Sequence, residues 1–251
     1  MTDFLEYLDG LANSASVEEL WNLHTARMAS YGFDRLIFGY TRYRTERSLG
    51  DPQDWVVLTN QSPEYMKVFI DDGMYFHAPM VRWAMENSGA CSWSWIRGAA
   101  ERGELNDKEL EALAFNQKMG VTAGYTISFH SMSARTKGAI ALTAPSGTSQ
   151  DDVDAIWDEH GREIHLAANV AYLKLLTLPN THARQLTKRQ REVLEWVGDG
   201  KTTQDIAQIM GLTPATVEKH LRLARESLDV DTTAQAVLKA SFYNQMFVLD
   251  F

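Results

Sequence analysis

The chain predicts an α+β architecture in two domains, an N-terminal α-β-α sandwich on an antiparallel sheet and then an all-helical C-terminal domain. Three observations carry this. Helix and strand signals alternate along residues 1–176, the loop-forming stretch "TLPNTHARQLT" interrupts the chain after a long periodic run, and beyond it the periodicity is helical only. The boundaries follow: a first domain over residues 1–176, a linker over 177–186 containing Pro179, Asn180 and Thr181, and a second domain over 187–251.

The elements follow in order. Ser16 with Glu19 has the spacing of a capping box, and "VEELWNLHTARMASYG" then keeps helical periodicity up to Gly32, a glycine suited to end a helix. "FDRLIFGYTRY" and "DWVVLTN" read as strands. Ser62-Pro63 opens another helix, serine as N-cap and proline at its first position. "LNDKELEALAFNQKMG" is a helix ending at Gly120. Two β-rich runs come next, "VTAGYTISFH" and "GAIALTAPS", joined as a hairpin by "SMSARTK", before a last helix from about Ser149 to Leu176.

Composition bounds the function. With 251 residues, 45% hydrophobic, the chain buries a real core. The single cysteine, Cys91, excludes internal disulfides and Cys-rich zinc sites, and no apolar run reaches the roughly 18 residues of a membrane span. The N-terminus "MTDFLEYLDG" is acidic and does not read as a signal peptide, so a cytoplasmic protein without a membrane partner is expected. The net charge of −9 is unevenly placed: nine Lys/Arg and nine Asp/Glu lie from Asn180 onward, leaving 15 basic and 24 acidic groups before it. The acidity therefore belongs to the first domain, and the neutral second one can still present basic groups on one face.

In "TTQDIAQIMGLTPATVEKHLRLARESLDV", Ala207 stands four residues before Gly211 and Val217 six after it, which is helix-turn-helix spacing. Ala207 lets two helices cross closely, Gly211 takes the positive φ of the turn, and Val217 plugs the angle. On the second helix Val217, Leu221, Ala224 and Leu228 share the inward face; Ala215, Glu218, Lys219 and Arg222 share the outward one. Thr213 caps that helix ahead of Pro214, with Thr216 in its first turn. A solvated face is the plain alternative; the turn, the cap and the short exposed face favour the DNA major groove.

An enzyme lacks its parts. "GKT" at Gly200 to Thr202 shares letters with a P-loop, but Glu195 stands where the first glycine belongs. His160 and His165 lie five apart, missing the helical zinc spacing, and Cys91 carries no nucleophile signature. No catalytic residue, metal ligand or cofactor is expected, so a signal-degrading hydrolase is set aside.

The segment Leu186 to Ala240, about 55 residues, resembles the C-terminal DNA-binding domain of LuxR-type transcription factors, with Leu194, Gly200, Ile206, Ala207, Thr216, Val217, His220 and Leu228 at that family's characteristic places. The resemblance implies a four-helix helix-turn-helix domain with Thr213, Ala215, Thr216, Glu218, Lys219 and Arg222 at the DNA. Two positions depart from the pattern: Gln190 stands where the family usually has glutamate, and Glu218 where a basic residue often contacts DNA. A carboxylate there repels phosphate and accepts only from a cytosine amino group.

The first domain is similar to the acyl-homoserine-lactone-binding domain of the quorum-sensing branch, through "SPEYMKVFIDDGMYFHAPMVRWAMENSGACSWSW". Aligned on Pro79 and Trp93, the family's lactone-binding tryptophan falls on Tyr65, its tyrosine on Phe69 and its amide-accepting aspartate on Ala78, while Trp93 and Gly124 match. Phe69 cannot hydrogen-bond and Ala78 accepts nothing. An unpaired buried amide costs about 1–3 kcal/mol, one to two decades of affinity, so common acyl-homoserine lactones are expected to bind poorly. His77 is the neighbouring polar group that would compensate.

The resemblance thus implies a ligand pocket drawing on Tyr43, Trp55, Tyr65, Phe69, Ala78, Trp93 and Thr143, with an ordinary aromatic core as the plain alternative for Tyr40, Tyr43, Trp55 and Trp95. It implies a homodimeric, ligand-responsive transcriptional regulator on a palindromic operator of double-stranded DNA, with RNA polymerase as a further partner. The small-molecule signal is an acyl-homoserine lactone or a related compound; the alternative is an orphan regulator with a non-lactone ligand or none. Ala236, Val237, Ala240 and Phe247 in "TTAQAVLKASFYNQMF" are offered to a partner helix or to their own domain.

Overall fold

The computed structural model describes residues 2–45, 48–131, 133–179 and 185–247; Asn180 and Thr181 of the expected linker lie outside them. The chain divides into two compact units, Met1–Gly50 with Trp55–Leu176, and Asp51–Asp54 with Thr177–Phe251.

Two helices open the first unit, α1 (Thr2–Asn13) and α2 (Val17–Ser30), followed by β1 (Arg35–Thr41) and β2 (Val56–Thr59). Next come α3 (Pro63–Met66), running into a π-helical turn at Lys67–Asp71, a 3-10 turn at Met74–His77, and α4 (Pro79–Glu86). β3 (Gly89–Ser92), α5 (Ser94–Glu101), α6 (Asp107–Lys118), β4 (Gly124–Ser128), β5 (Lys137–Thr143) and α7 (Gln150–Leu175) complete it. The strands form one antiparallel sheet in the order β2-β1-β5-β4-β3.

Four elements were not read from the sequence: α1, β3, α4 and α5. α1 aligns Phe4, Leu8 and Leu11 on one face, with Leu11 fully buried. β3 is the edge strand "GACS", whose small residues carry no strand signal of their own and are held by pairing with β4. The Ser16–Glu19 spacing also resolves differently from a box: Ser16 Oγ accepts the Glu19 amide at 3.1 Å, but Glu19 Oε2 reaches the amide of Ala15, at 2.8 Å, one residue before the cap.

Strand alternation gives the sheet two unlike faces. Leu36, Phe38 and Tyr40 of β1, Ile140 and Leu142 of β5, and Tyr125 and Ile127 of β4 are buried on one side. There Tyr172 of α7 lies 6.3 Å from the Phe38 ring and 5.8 Å from Tyr40, and Trp157 stacks on Tyr125 at 4.0 Å. On the opposite face the register sets Gly39 against Ala139 and Val57, and Ala141 between Ile37 and Thr126. Small side chains in neighbouring strands make a shallow floor. Arg35 clamps the sheet to α6, donating to the carbonyls of Gly120 at 2.9 Å and Ala144 at 2.7 Å, with Met119 O at 3.4 Å.

The second unit holds α8 (Lys188–Gly198), α9 (Thr203–Met210), α10 (Pro214–Leu228) and α11 (Thr233–Phe242). A threonine caps each of them: Thr187, Thr202, Thr213 and Thr232, three with a complete capping box. Gln190 completes the first of these boxes. Its Oε1 takes the Thr187 amide at 2.8 Å while its Nε2 lies 3.5 Å from Ser227 Oγ of α10, so the amide keeps the acceptor that the box requires without burying a charge. Gly211 has φ +64°, and the Leu212 amide closes on Ala207 O at 2.8 Å. Val193, Leu194, Ile206, Val217, Ala224, Leu228, Ala236 and Ala240 are fully buried. Ala236 and Ala240 therefore pack inside their own unit, and the exposed apolar residues near them are Leu238 and Phe247. The Asp54 carboxylate, buried in this unit, accepts from Lys239 and Tyr243.

Candidate functional site

Between the small-residue floor and the α3–α6 side lies a cavity of about 500 Å³, in the size range of small-molecule pockets. The floor is what makes room. A Cβ added to Gly39 would meet no atom within 4 Å, so this glycine is there for space, with no left-handed backbone to require it. The opposite constraint holds at Gly124, where an added Cβ would lie 2.2 Å from Leu142 O and 3.0 Å from the Trp93 ring. Gly124 lets Trp93 cross the sheet edge and enter the wall.

Six of the seven residues expected at a pocket line this one: Trp55, Tyr65, Phe69, Ala78, Trp93 and Thr143. Tyr43 is not among them, and its Cβ packs over Gly50 instead. Nor is His77 among the lining residues, so the compensation expected of it for Ala78 has no support from position. Trp55 lends its face alone, because its indole N–H is spent on Leu49 O at 2.8 Å and its ring meets Tyr75 edge-on at 5.0 Å.

Tyr65 is buried between the rings of Phe69 and Phe115, at 5.2 and 5.4 Å, and its hydroxyl donates to Asn116 Oδ1 at 2.9 Å. Burial raises the Tyr65 phenol pKa against a smaller lowering by Arg35, and it pushes Tyr75 up to about 12. Both stay neutral donors. Trp93 Nε1 donates to Thr126 Oγ1 at 2.9 Å. Thr143 is 1% exposed, lines the cavity, and its hydroxyl has no partner among the described residues.

Asn116, Thr126, Tyr75 and the floor residues Gly39, Ala139 and Ala141 were not read from the sequence. The floor was signalled only by small residues in β-rich runs, and its meaning depends on cross-strand register. Ala78 has a second position to fill: it is the N-cap of α4 and makes no side-chain cap.

On α10 the expected outward face is exposed, Ala215, Glu218, Lys219 and Arg222 together. Thr213 accepts the Thr216 amide at 3.2 Å, and the two hydroxyls lie 2.9 Å apart, which ties both to the helix start. Glu218 Oε1 accepts from Thr203 Oγ1 of α9 at 2.8 Å. Arg222 pairs with Glu226 one turn on, at 2.6 Å, both 55% exposed. Such a pair is worth under about 1 kcal/mol, so Arg222 is readily released to a stronger anion.

Residues 16–175 match the family model of the autoinducer binding domain, and residues 184–240 that of bacterial regulatory proteins of the luxR family. The transcriptional activator protein LuxR of Aliivibrio fischeri is 22% identical over 196 residues, 74% of this chain and 73% of its own. The transcriptional activator protein AnoR of Acinetobacter nosocomialis is 25% identical over 227 residues, 89% of this chain and 90% of its own. Among solved structures, SdiA in complex with octanoyl-rac-glycerol gives a TM-score of 0.52 at 15% identity, covering 96% of this chain and 94% of that one. At that identity the likeness speaks for the fold.

Proposed function

The chain belongs to the autoinducer-binding-domain family and carries a luxR-family regulatory domain, and from that premise we propose that the cavity over Gly39 is its signal site and the outward face of α10 its DNA-reading surface. It is a ligand-responsive DNA-binding transcriptional regulator, as its relatives are transcriptional activators, and not an enzyme.

The observation that carries the signal site is the roughly 500 Å³ cavity on a floor of Gly39, Ala139 and Ala141. Filling that floor tests it. Gly39→Leu extends a side chain into space where a Cβ meets nothing, so the variant is expected to fold and to lose response to every small molecule that stabilises the parent. Retained ligand response in a folded Gly39→Leu would move the site elsewhere.

Common acyl-homoserine lactones should bind weakly, because Phe69 and Ala78 both line the cavity and neither accepts an amide N–H. Ala78→Asp supplies an acceptor. The carboxylate also caps α4, worth about 0.5–2 kcal/mol, which offsets its desolvation, and a lactone amide can share it through a charge-assisted hydrogen bond. Thermal shifts with a lactone panel are expected to be small for the parent and at least tenfold stronger in apparent affinity for Ala78→Asp. Strong micromolar stabilisation of the parent, unchanged by the substitution, would make this an ordinary lactone receptor.

At the DNA, Lys219 and Arg222 are the groups that reach bases or phosphates, and Arg222→Ala should weaken operator binding by about 1–3 kcal/mol if it reads a base. An electrophoretic shift assay with unchanged affinity and salt slope would remove it from the reading face. Thr203 holds one oxygen of Glu218, leaving the other to accept from a cytosine amino group. The assembly in this reading is a cytoplasmic homodimer on a palindromic operator, with Leu238 of α11, 55% exposed, available to a second copy, and with RNA polymerase as a further partner.

A further inference from the structure

We propose that the uncharged polar end of the cavity is built around Asn116 for a neutral amphiphile whose head presents an ester, lactone or ketone oxygen and no N–H. The inference rests on the reading of the cavity as the signal site and specifies the chemistry of its ligand.

Polar groups stand at both ends of the cavity, Thr41 and Lys137 at one and a larger, uncharged group at the other. Tyr65, Asn116, Trp93, Thr126 and Thr143 gather where α6 ends and β4 and β5 pair: Gly124 lies opposite Thr143, and Arg35, also opposite Thr143, grips the carbonyls just beyond α6. The apolar walls are Leu49, Trp55, Val57, Met80, Val81 and Ala84, and the Lys137 ammonium at the far end is held by Asn87 O. That division suits an apolar chain with a small head.

The head chemistry follows from which atoms are spent. Asn116 Oδ1 is occupied by the Tyr65 hydroxyl, so its Nδ2 keeps two N–H donors, and these have no acceptor among the described residues. Thr126 Oγ1 already accepts from Trp93, which leaves its proton to give. No aspartate or glutamate lines the cavity. An N–H on the ligand would meet only uncharged acceptors, hydroxyl oxygens and the side-chain amides of Gln117 and Gln150, the latter already taken by the Gly124 amide at 3.0 Å, whereas an oxygen acceptor meets the Asn116 amide, which can do nothing but donate on that side. A carboxylate head is not favoured either. The two lining cations are engaged elsewhere: Lys137 donates to Asn87 O at 2.8 Å, and Arg97, 60% exposed, faces Asp151 at 3.5 Å.

The test is titration of the full chain with a matched set, 2-hydroxyethyl octanoate, its isosteric amide N-(2-hydroxyethyl)octanamide, and octanoic acid, followed by thermal shift and calorimetry. The ester is expected to bind at least tenfold more tightly than the amide or the acid. Asn116→Leu should lose about tenfold for the ester. Asn116→Asp, which still accepts from Tyr65, should reverse the order so that the amide binds better. Equal or tighter binding of the amide or the acid by the parent overturns the inference while leaving the cavity reading in place, provided that Gly39→Leu abolishes that binding. An ester affinity indifferent to both Asn116 variants overturns the assignment of Asn116. Absence of binding by all three probes overturns the inference together with the cavity reading.

Discussion

The two units of this chain solve the problem of polar and apolar groups in opposite ways. In the helical unit each of α8–α11 opens on a threonine that caps it, the Leu212 amide after the turn at Gly211 closes on Ala207 O, and Val193, Leu194, Ile206, Val217 and Leu228 are fully buried. The sheet unit keeps a cavity of about 500 Å³ over the Gly39, Ala139 and Ala141 floor on one face of its sheet and leaves His24 Nε2 buried without a partner among the described residues. A molecule that binds in the cavity is therefore expected to stabilise this unit first, because its lining belongs to the sheet unit.

The sharpest way to break the contrast is to remove a long-range tie from the sheet unit. Arg35→Ala strands the carbonyls of Gly120 and Ala144, which no neighbouring cap replaces, and is expected to destabilise that unit by about 3 kcal/mol or more. Hydrogen exchange should quicken in β1, β5 and α6 and stay unchanged in α8–α11. Equal acceleration in both units would show them to unfold as one.

Acid should separate them next. His24 is fully buried, bonded through Nδ1 to the Tyr7 hydroxyl at 2.8 Å, and burial lowers its pKa to about 4 from the ordinary value near 6.5. Because the folded pKa lies below the unfolded one, the protein binds more protons when unfolded in this range. Stability is whole above about pH 6.5 and declines as pH falls towards 4, by something on the order of 2–3 kcal/mol. Six of the seven tryptophans, all but Trp196, lie in the sheet unit, so fluorescence-monitored urea unfolding reports on it. A His24→Gln variant should flatten the pH dependence, and an unchanged slope would assign the acid sensitivity elsewhere.

The same contrast explains what was legible in the sequence. Ala207, Gly211, Thr213 and Val217 act within a few residues of one another, so their spacing alone named the turn, the cap and the buried face. The sheet order was not available in that way. Nothing in "GYT" says that Gly39 will face Ala139, and only that register turns three small residues into a floor. Tyr43 was expected at the pocket because it is aromatic and near a strand end, yet the chain turns there and sends it over Gly50. Asn116 was passed over since it lies on a helix of ordinary polarity, and its meaning comes from a partner 51 residues away, Tyr65. Ala78 was read as a missing acceptor, and the geometry adds that it is also a helix cap without a capping side chain.

In the helical unit the expected effects are smaller, because each device is local and separately replaceable. Thr213→Ala removes the hydroxyl that accepts the Thr216 amide, and costs about 1 kcal/mol of that unit's stability. It should also loosen the start of α10, so operator affinity falls with it. Hydrogen exchange confined to the first turn of α10 would fit; a response reaching β1 or β5 would contradict the independence of the two units.

The smallest effect is the one whose sign tells most about the cavity. A glycine inside a strand is normally a loss, since it has the most backbone freedom to give up on folding and no side chain to pack. Gly39 lies in β1 with ordinary extended backbone, and an added Cβ would touch nothing within 4 Å. Gly39→Ala should therefore stabilise the sheet unit by about 0.4–1 kcal/mol, chiefly by restricting the unfolded chain. A gain left unused is what a position kept open for another molecule would show. The added methyl stands on the cavity floor, so stability and ligand affinity should move in opposite directions in the same variant, a slightly higher urea midpoint with a weaker thermal shift from any cavity ligand. If Gly39→Ala destabilises the unit, the floor is already closely covered, and the contrast between an open sheet unit and a filled helical one fails at its centre.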